Sequence, residues 1–193
     1  MHQHAERELR AIRTAMERAG SYTALPGWGG IGMGAIGIAA AWRAAGAQDP
    51  AAWLSVWLIA AAIAVPLGAW TLAREARRAQ VDLSRGVARL FVFNLAPPLL
   101  VGAALSAALW RAGAVELLPA TWLLLYGLAI LAAGAFSLRV LAPMGAAFVA
   151  LGAIAGFVSP AIANLLLGAG FGALHLVVGL IVLRGDTRSD AHV

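Results

Sequence analysis

Long apolar runs alternate with short breaks that carry arginines. A helix needs about 20 mostly apolar residues to cross the hydrocarbon core of a bilayer. Six runs meet that need, at about 26–46, 51–73, 88–111, 115–137, 138–158 and 160–184. The fourth and fifth form one stretch too long for a single span. Ser137, Arg139 and Pro143 place an interfacial turn inside it, because a charge and a proline both disfavour a continuous buried helix. The predicted fold is all-α: an integral membrane bundle of six transmembrane helices over 23–185, with a polar C-terminal tail at 186–193.

Residues 1–22 read differently. Ala5, Leu9, Ile12, Met16 and Ala19 step by four and three and share one helical face. Glu6 and Arg10 form an i,i+4 pair beside it. The pattern predicts a short amphipathic helix. Such a helix can lie on the membrane surface, dock on the bundle, or pair with a protein partner or a second copy of the chain.

Small residues are patterned within the spans. Gly30, Gly34, Gly37 and Ala41 line one face of the first. Gly145, Gly152 and Gly156 do so on the fifth, with Val149 interrupting. On the sixth, Gly168, Gly172, His175 and Gly179 repeat the spacing one turn after Asn164. Lipid tails are as apolar as leucine, so helices in a bilayer associate by close backbone packing. These stripes are therefore predicted contact faces, within one chain or between subunits. The fifth and sixth runs, separated by Ser159 and Pro160, are expected to form a tight antiparallel hairpin. Pro66 in the second run, and Pro97 with Pro98 in the third, each remove a backbone donor. Asn94 stands where its side chain can satisfy a freed carbonyl, or line a substrate path.

Composition sharpens this picture. Hydrophobic residues make up 62% of the 193 residues and charged residues 12%, against about 25% charged in soluble domains. Cysteine is absent, which excludes disulfides, thiolate metal sites and a Cys nucleophile. The net charge is +5, and all 14 basic residues are arginine. They flank the apolar runs, so they read as loop charges and not as a nucleic-acid surface. Twelve fall on one side of the membrane and two, Arg43 and Arg111, on the other. The positive-inside rule then puts both termini in the cytoplasm of a bacterial inner membrane. No signal peptide is evident, so the first run is expected to stay as an uncleaved anchor. Trp42, Trp53, Trp57, Trp110 and Trp122 fall near the outer ends of their runs, and Trp28 and Trp70 near the inner ends, which predicts an interfacial aromatic belt.

Catalytic patterns are missing. Asp and Glu are absent from the middle of every run, and no HExxH or Walker A motif occurs. Gly168, Gly170 and Gly172 spell GxGxG inside a span without a preceding strand, which excludes a dinucleotide loop. His175 is the one histidine within a span. Ser106, Tyr126, Asn94 and Asn164 are its candidate partners. Hydrogen bonding to a neighbouring helix is its default role. A haem ligand is the alternative, although His2, His4 and His192 lie in the tails, so a second axial histidine would have to come from a symmetric dimer. No cofactor is predicted otherwise.

The stretches MERAGSYTALPGWGG at 16–30, RVLAPMGAAFVALGAI at 139–154 and GFGALHLVVGLIVLR at 170–184 resemble a family of small six-helix bacterial membrane proteins with no assigned activity. The resemblance implies a fold and a location and carries over no functional residue. The expected function is non-enzymatic, as a regulatory, sensory or assembly partner in the lipid bilayer. A small permease or channel, and a haem-binding protein using His175, are the alternatives.

Overall fold

The computed structural model describes residues 27–78, 86–134 and 140–190. The amphipathic helix expected in residues 1–22 lies outside them. The described residues are helical, with no strand among them. Helix α1 spans Gly27–Ala45, α2 Pro50–Arg78 and α3 Gly86–Arg111. A 3₁₀ turn, Val115–Leu117, leads into α4, Leu118–Gly134, and α5 follows at Leu141–Ala155. The last span is one continuous rod in three parts: α6, Pro160–Leu167, a π-helical stretch, Gly168–Leu174, and α7, His175–Asp190.

Among the described residues, four helices are long and apolar enough to cross a membrane: Pro50–Arg78, Phe93–Arg111, Val115–Gly134 and Pro160–Gly185. The other two expected spans fall short for different reasons. Helix α5 has 15 residues, about 22 Å of rise against a hydrocarbon core of about 30 Å. Helix α1 has 19 residues, but six are glycine and one is Arg43, and it is not among the four. Pro143 falls in the first turn of α5, where its missing donor costs nothing. Helix α7 continues to Asp190, so most of the expected C-terminal tail is helical.

Backbone contacts set the arrangement. Helix α1 runs antiparallel to the last span and touches it along its length. Cβ atoms placed on Gly27, Gly34 and Gly37 would meet Gly179 O at 2.8 Å, Gly172 O at 2.8 Å and Phe171 O at 2.5 Å. From the other side, one on Gly179 would lie 2.7 Å from Gly27 O, and one on Gly168 2.7 Å from Ala41 Cβ. The first and last stripes therefore close on each other inside one chain.

The fifth stripe closes elsewhere. Cβ atoms on Gly145 and Gly152 would meet Gly127 O at 2.9 Å and Leu124 N at 2.8 Å, both on α4. The fifth and sixth runs also lie against each other, with the Phe148 ring 5.3 Å from Phe171, but α5 packs chiefly on α4. Helix α5 finds a matching small residue, Gly127, on α4, and that lets the two backbones approach. Four residues, Gly156–Ser159, then separate it from α6. Helix α3 packs chiefly on α4 and α2 chiefly on α1, at the two margins of the bundle.

Candidate functional site

The polar residues inside the bundle gather into two hydrogen-bonded groups near the π-helical stretch. Asn164, on α6, is buried. Its Oδ1 accepts from Trp53 Nε1 and from Trp57 Nε1, each at 3.0 Å. Its Nδ2 donates to the Ala41 carbonyl at 2.9 Å. Indole nitrogens only donate and a carbonyl only accepts, so these partners determine which amide end is which. One side chain thereby ties α6 to both α1 and α2.

Trp53 and Trp57 stand four residues apart on α2, so their rings share a helical face. The face turns inward. Trp57 is only 5% exposed. Trp53 stacks on Trp122 of α4, with centroids 5.6 Å apart and planes 9° apart. Trp122 in turn donates to Ser106 Oγ of α3 at 2.7 Å. The expected aromatic belt is thus divided. Trp28, Trp42, Trp70 and Trp110 are exposed, whereas Trp53, Trp57 and Trp122 point into the bundle because each indole N–H finds an acceptor there.

The second group centres on His175, the first residue of α7. The ring leaves the glycine stripe and reaches α4, where Nε2 lies 2.8 Å from the Tyr126 hydroxyl. Nδ1 lies 3.4 Å from the Gly170 carbonyl, in the π-helical stretch. A carbonyl can only accept, so Nδ1 carries the proton. In the neutral ring Nε2 then accepts from Tyr126. Of the four candidate partners, Tyr126 is the one the fold brings to His175. Ser106 receives Trp122 instead, and Asn164 receives the two indoles. Asn94 is half-buried on α3.

Phe171 joins the two groups. Its ring lies 6.3 Å from Trp57, 5.0 Å from Tyr126 and 5.3 Å from Phe148, and stacks on His175 at 6.3 Å. Gly170 makes room for this packing. A Cβ there would strike Leu123 at 2.6 Å and Phe148 at 2.8 Å. Gly168–Leu174 forms one widened turn inside the rod, the usual form in which π-helix occurs.

These residues do not fit a haem. Both nitrogens of His175 are engaged, and Phe148 and Phe171 pack against its ring. An axial bond to iron would require Tyr126 to leave. Among the described residues no cluster of His, Asp or Glu is suited to a metal ion. Donors and acceptors that complement each other hold α1, α2, α3, α4 and the last span at fixed separations.

Tyr126→Phe removes the hydroxyl and leaves the ring. We expect a stability loss of about 1 kcal/mol. In the protein labelled with nitrogen-15 at histidine, the Nε2 resonance of His175 should move while Nδ1 stays protonated. An unmoved Nε2 resonance would show that the 2.8 Å contact is not a hydrogen bond.

Reading the sequence alone misses Trp53, Trp57, Phe148 and Phe171. A usable signal was present for two of them: indoles at i and i+4 on an otherwise apolar helix form a paired donor, and Asn164 is an acceptor without a partner on its own helix. Taken together, the fold and the site define an all-helical protein with spans suited to a membrane and a hydrogen-bonded polar core. No family model, curated protein or solved structure matches the chain.

Proposed function

We propose that the chain is an integral protein of the bacterial cytoplasmic membrane that works without catalysis, as a regulatory, sensory or assembly partner. In this reading it crosses the membrane six times. Helices α1 and α5 complete the set although one is glycine-rich and the other short, and both termini face the cytoplasm. The N-terminal amphipathic segment is the element that meets a partner.

The observation that carries this reading is the mutual pairing inside the bundle. Asn164, His175, Tyr126, Trp53 and Trp57 bond to one another or to backbone. Polar groups within a span ordinarily mark ion or substrate pathways; here they tie helices together. Affinity capture of the full chain, compared with a chain lacking residues 1–22, tests the reading. Partners should be lost with the segment, and an identical partner set would count against it.

A small permease is the second reading. The π-helical stretch beside His175 favours it, since π turns recur at functional sites. It requires solute flux in proteoliposomes that falls in His175→Ala. Flux no greater than that of empty liposomes would end it.

A further inference from the structure

One face of α2 runs from exposed apolar side chains into a cluster of arginines. Ile59, Ile63, Trp70, Arg74, Arg77 and Arg78 are separated by three, four or seven residues or fall one turn apart, so they form a single stripe. The stripe is open along its length: Ile59 is 61% exposed, Ile63 55% and Trp70 58%, and the three arginines are exposed as well. Arg74 holds its guanidinium 5.6 Å from the centre of the Trp70 ring.

The dimensions match one leaflet. From Ile59 to Trp70 the helix rises about 16 Å, half of a hydrocarbon core about 30 Å thick. Trp70 then falls at the boundary where indoles settle. Arg74 lies about 6 Å further on, and Arg78 about 12 Å, in and just beyond the headgroup layer. Among the described residues at this end, arginines outnumber the carboxylates, which are Glu75, Asp186 and Asp190. Arg89 and Arg184 are exposed at this same end of the bundle. The nearby carboxylate of Glu75 pairs loosely with Arg78, at 3.8 Å. At the opposite end Arg43 and Arg111 are offset by Asp49 and Glu116.

We propose that this stripe is a binding site for an anionic phospholipid. The acyl chain lies along Ile59 and Ile63, the glycerol region rests at Trp70, and the phosphate is held by Arg74 with Arg77 and Arg78. A guanidinium is suited to this, because its planar fork matches two phosphate oxygens and its face stacks on an aromatic ring. The site rests on the reading of α2 as a membrane-spanning helix. Nothing in it depends on what the N-terminal segment binds.

The test uses the full chain in nanodiscs that contain phosphatidylglycerol and phosphatidylcholine in equal amounts. Lipids retained after detergent extraction are counted by native mass spectrometry. Incorporation into nanodiscs is scored separately, so failure of the membrane reading and failure of the lipid site give different results. Phosphatidylglycerol should be enriched. Each arginine changed among Arg74→Gln, Arg77→Gln and Arg78→Gln should cut the enrichment about fivefold, while Arg43→Gln with Arg111→Gln leaves it unchanged. In the unmodified protein the preference should collapse between ~0.1 M and ~1 M salt, as the screening length falls from about 10 to about 3 Å. That measurement does not depend on any variant folding. Inorganic phosphate alone should fail to displace the lipid, because it lacks the chain that Ile59 and Ile63 hold. Three outcomes overturn the proposal: equal retention of the two lipids, enrichment that survives the triple substitution, or displacement by phosphate. The first would leave the arginines to the carboxylates of a protein partner.

Discussion

Gly37→Leu should prevent α1 from docking and leave no stable bundle. A Cβ at this position would sit 2.5 Å from both the carbonyl carbon and the oxygen of Phe171, and 2.7 Å from Gly172 N. All three are backbone atoms of the facing rod, so no side chain can swing aside. The helices must separate, and separation breaks the contacts at Gly34 and Gly179 and the Asn164 bond to Ala41. Overpacking a well-packed site costs about 1–3 kcal/mol for small additions. A leucine inserted between two backbones should exceed that range, against a total stability of about 5–15 kcal/mol. Gly32→Leu is the matched control. A Cβ there meets Leu67 Cδ2, at 2.9 Å, which is the far end of a flexible side chain. Thermal unfolding in detergent, with size-exclusion profiles of both variants, should show a collapsed transition for Gly37→Leu and a small shift for Gly32→Leu. Equal melting temperatures would refute the backbone-on-backbone contact.

Asn164→Leu should be the most damaging change at a polar residue. Leucine keeps the same branched heavy-atom frame and leaves no cavity, so the lost hydrogen bonds dominate. Two indole N–H groups would lose their shared acceptor inside the bundle, and the Ala41 carbonyl would lose the amide donor. A buried donor left unpaired costs about 1–3 kcal/mol, and measured interhelical bonds in membranes average somewhat less. The expected loss is about 2–4 kcal/mol. A double-mutant cycle separates this from simple repacking. Trp57→Phe should cost much less in the Asn164→Leu background than in the native one, because the N–H it deletes has already lost its acceptor. Additive losses would mean that the Trp57–Asn164 bond contributes nothing. Tryptophan emission gives a second readout, since Trp57 is buried in the native chain.

How much of this could be read beforehand differs from residue to residue. The glycine spacing on α1 and on the last span marks the faces that touch, because close approach leaves no room for side chains and the sequence records that constraint directly. The same spacing on α5 marks a contact face but not its partner, which proved to be α4. Ala120, Gly127 and Gly134 step by sevens along α4 and form the matching small-residue face, but one glycine in every two turns is a weaker mark than the spacing on α1. His175 could be placed on an inward edge of its helix. That its ring would pass the stripe and meet Tyr126 depends on where α4 stands. The tryptophans were the main surprise. Position near a helix end suits both an interfacial ring and an inward ring with an acceptor, and the choice between them rests on Asn164, which is 107 residues from Trp57 in the chain.

What the sequence determined by itself is local. Apolar runs become helices because hydrocarbon offers no partner for backbone N–H and C=O, so each run must satisfy its own. Helical periodicity then sorts small, polar and bulky residues onto faces, and the arginines distinguish the two ends of the bundle. What the tertiary structure alone decided is pairing: the first stripe against the last, the fifth against α4, Asn164 with two indoles and His175 with Tyr126. The reason is geometric. Periodicity assigns directions around one helix axis, whereas a hydrogen bond or a backbone contact needs two axes to be within reach. The distance between axes is determined only when all the helices pack together.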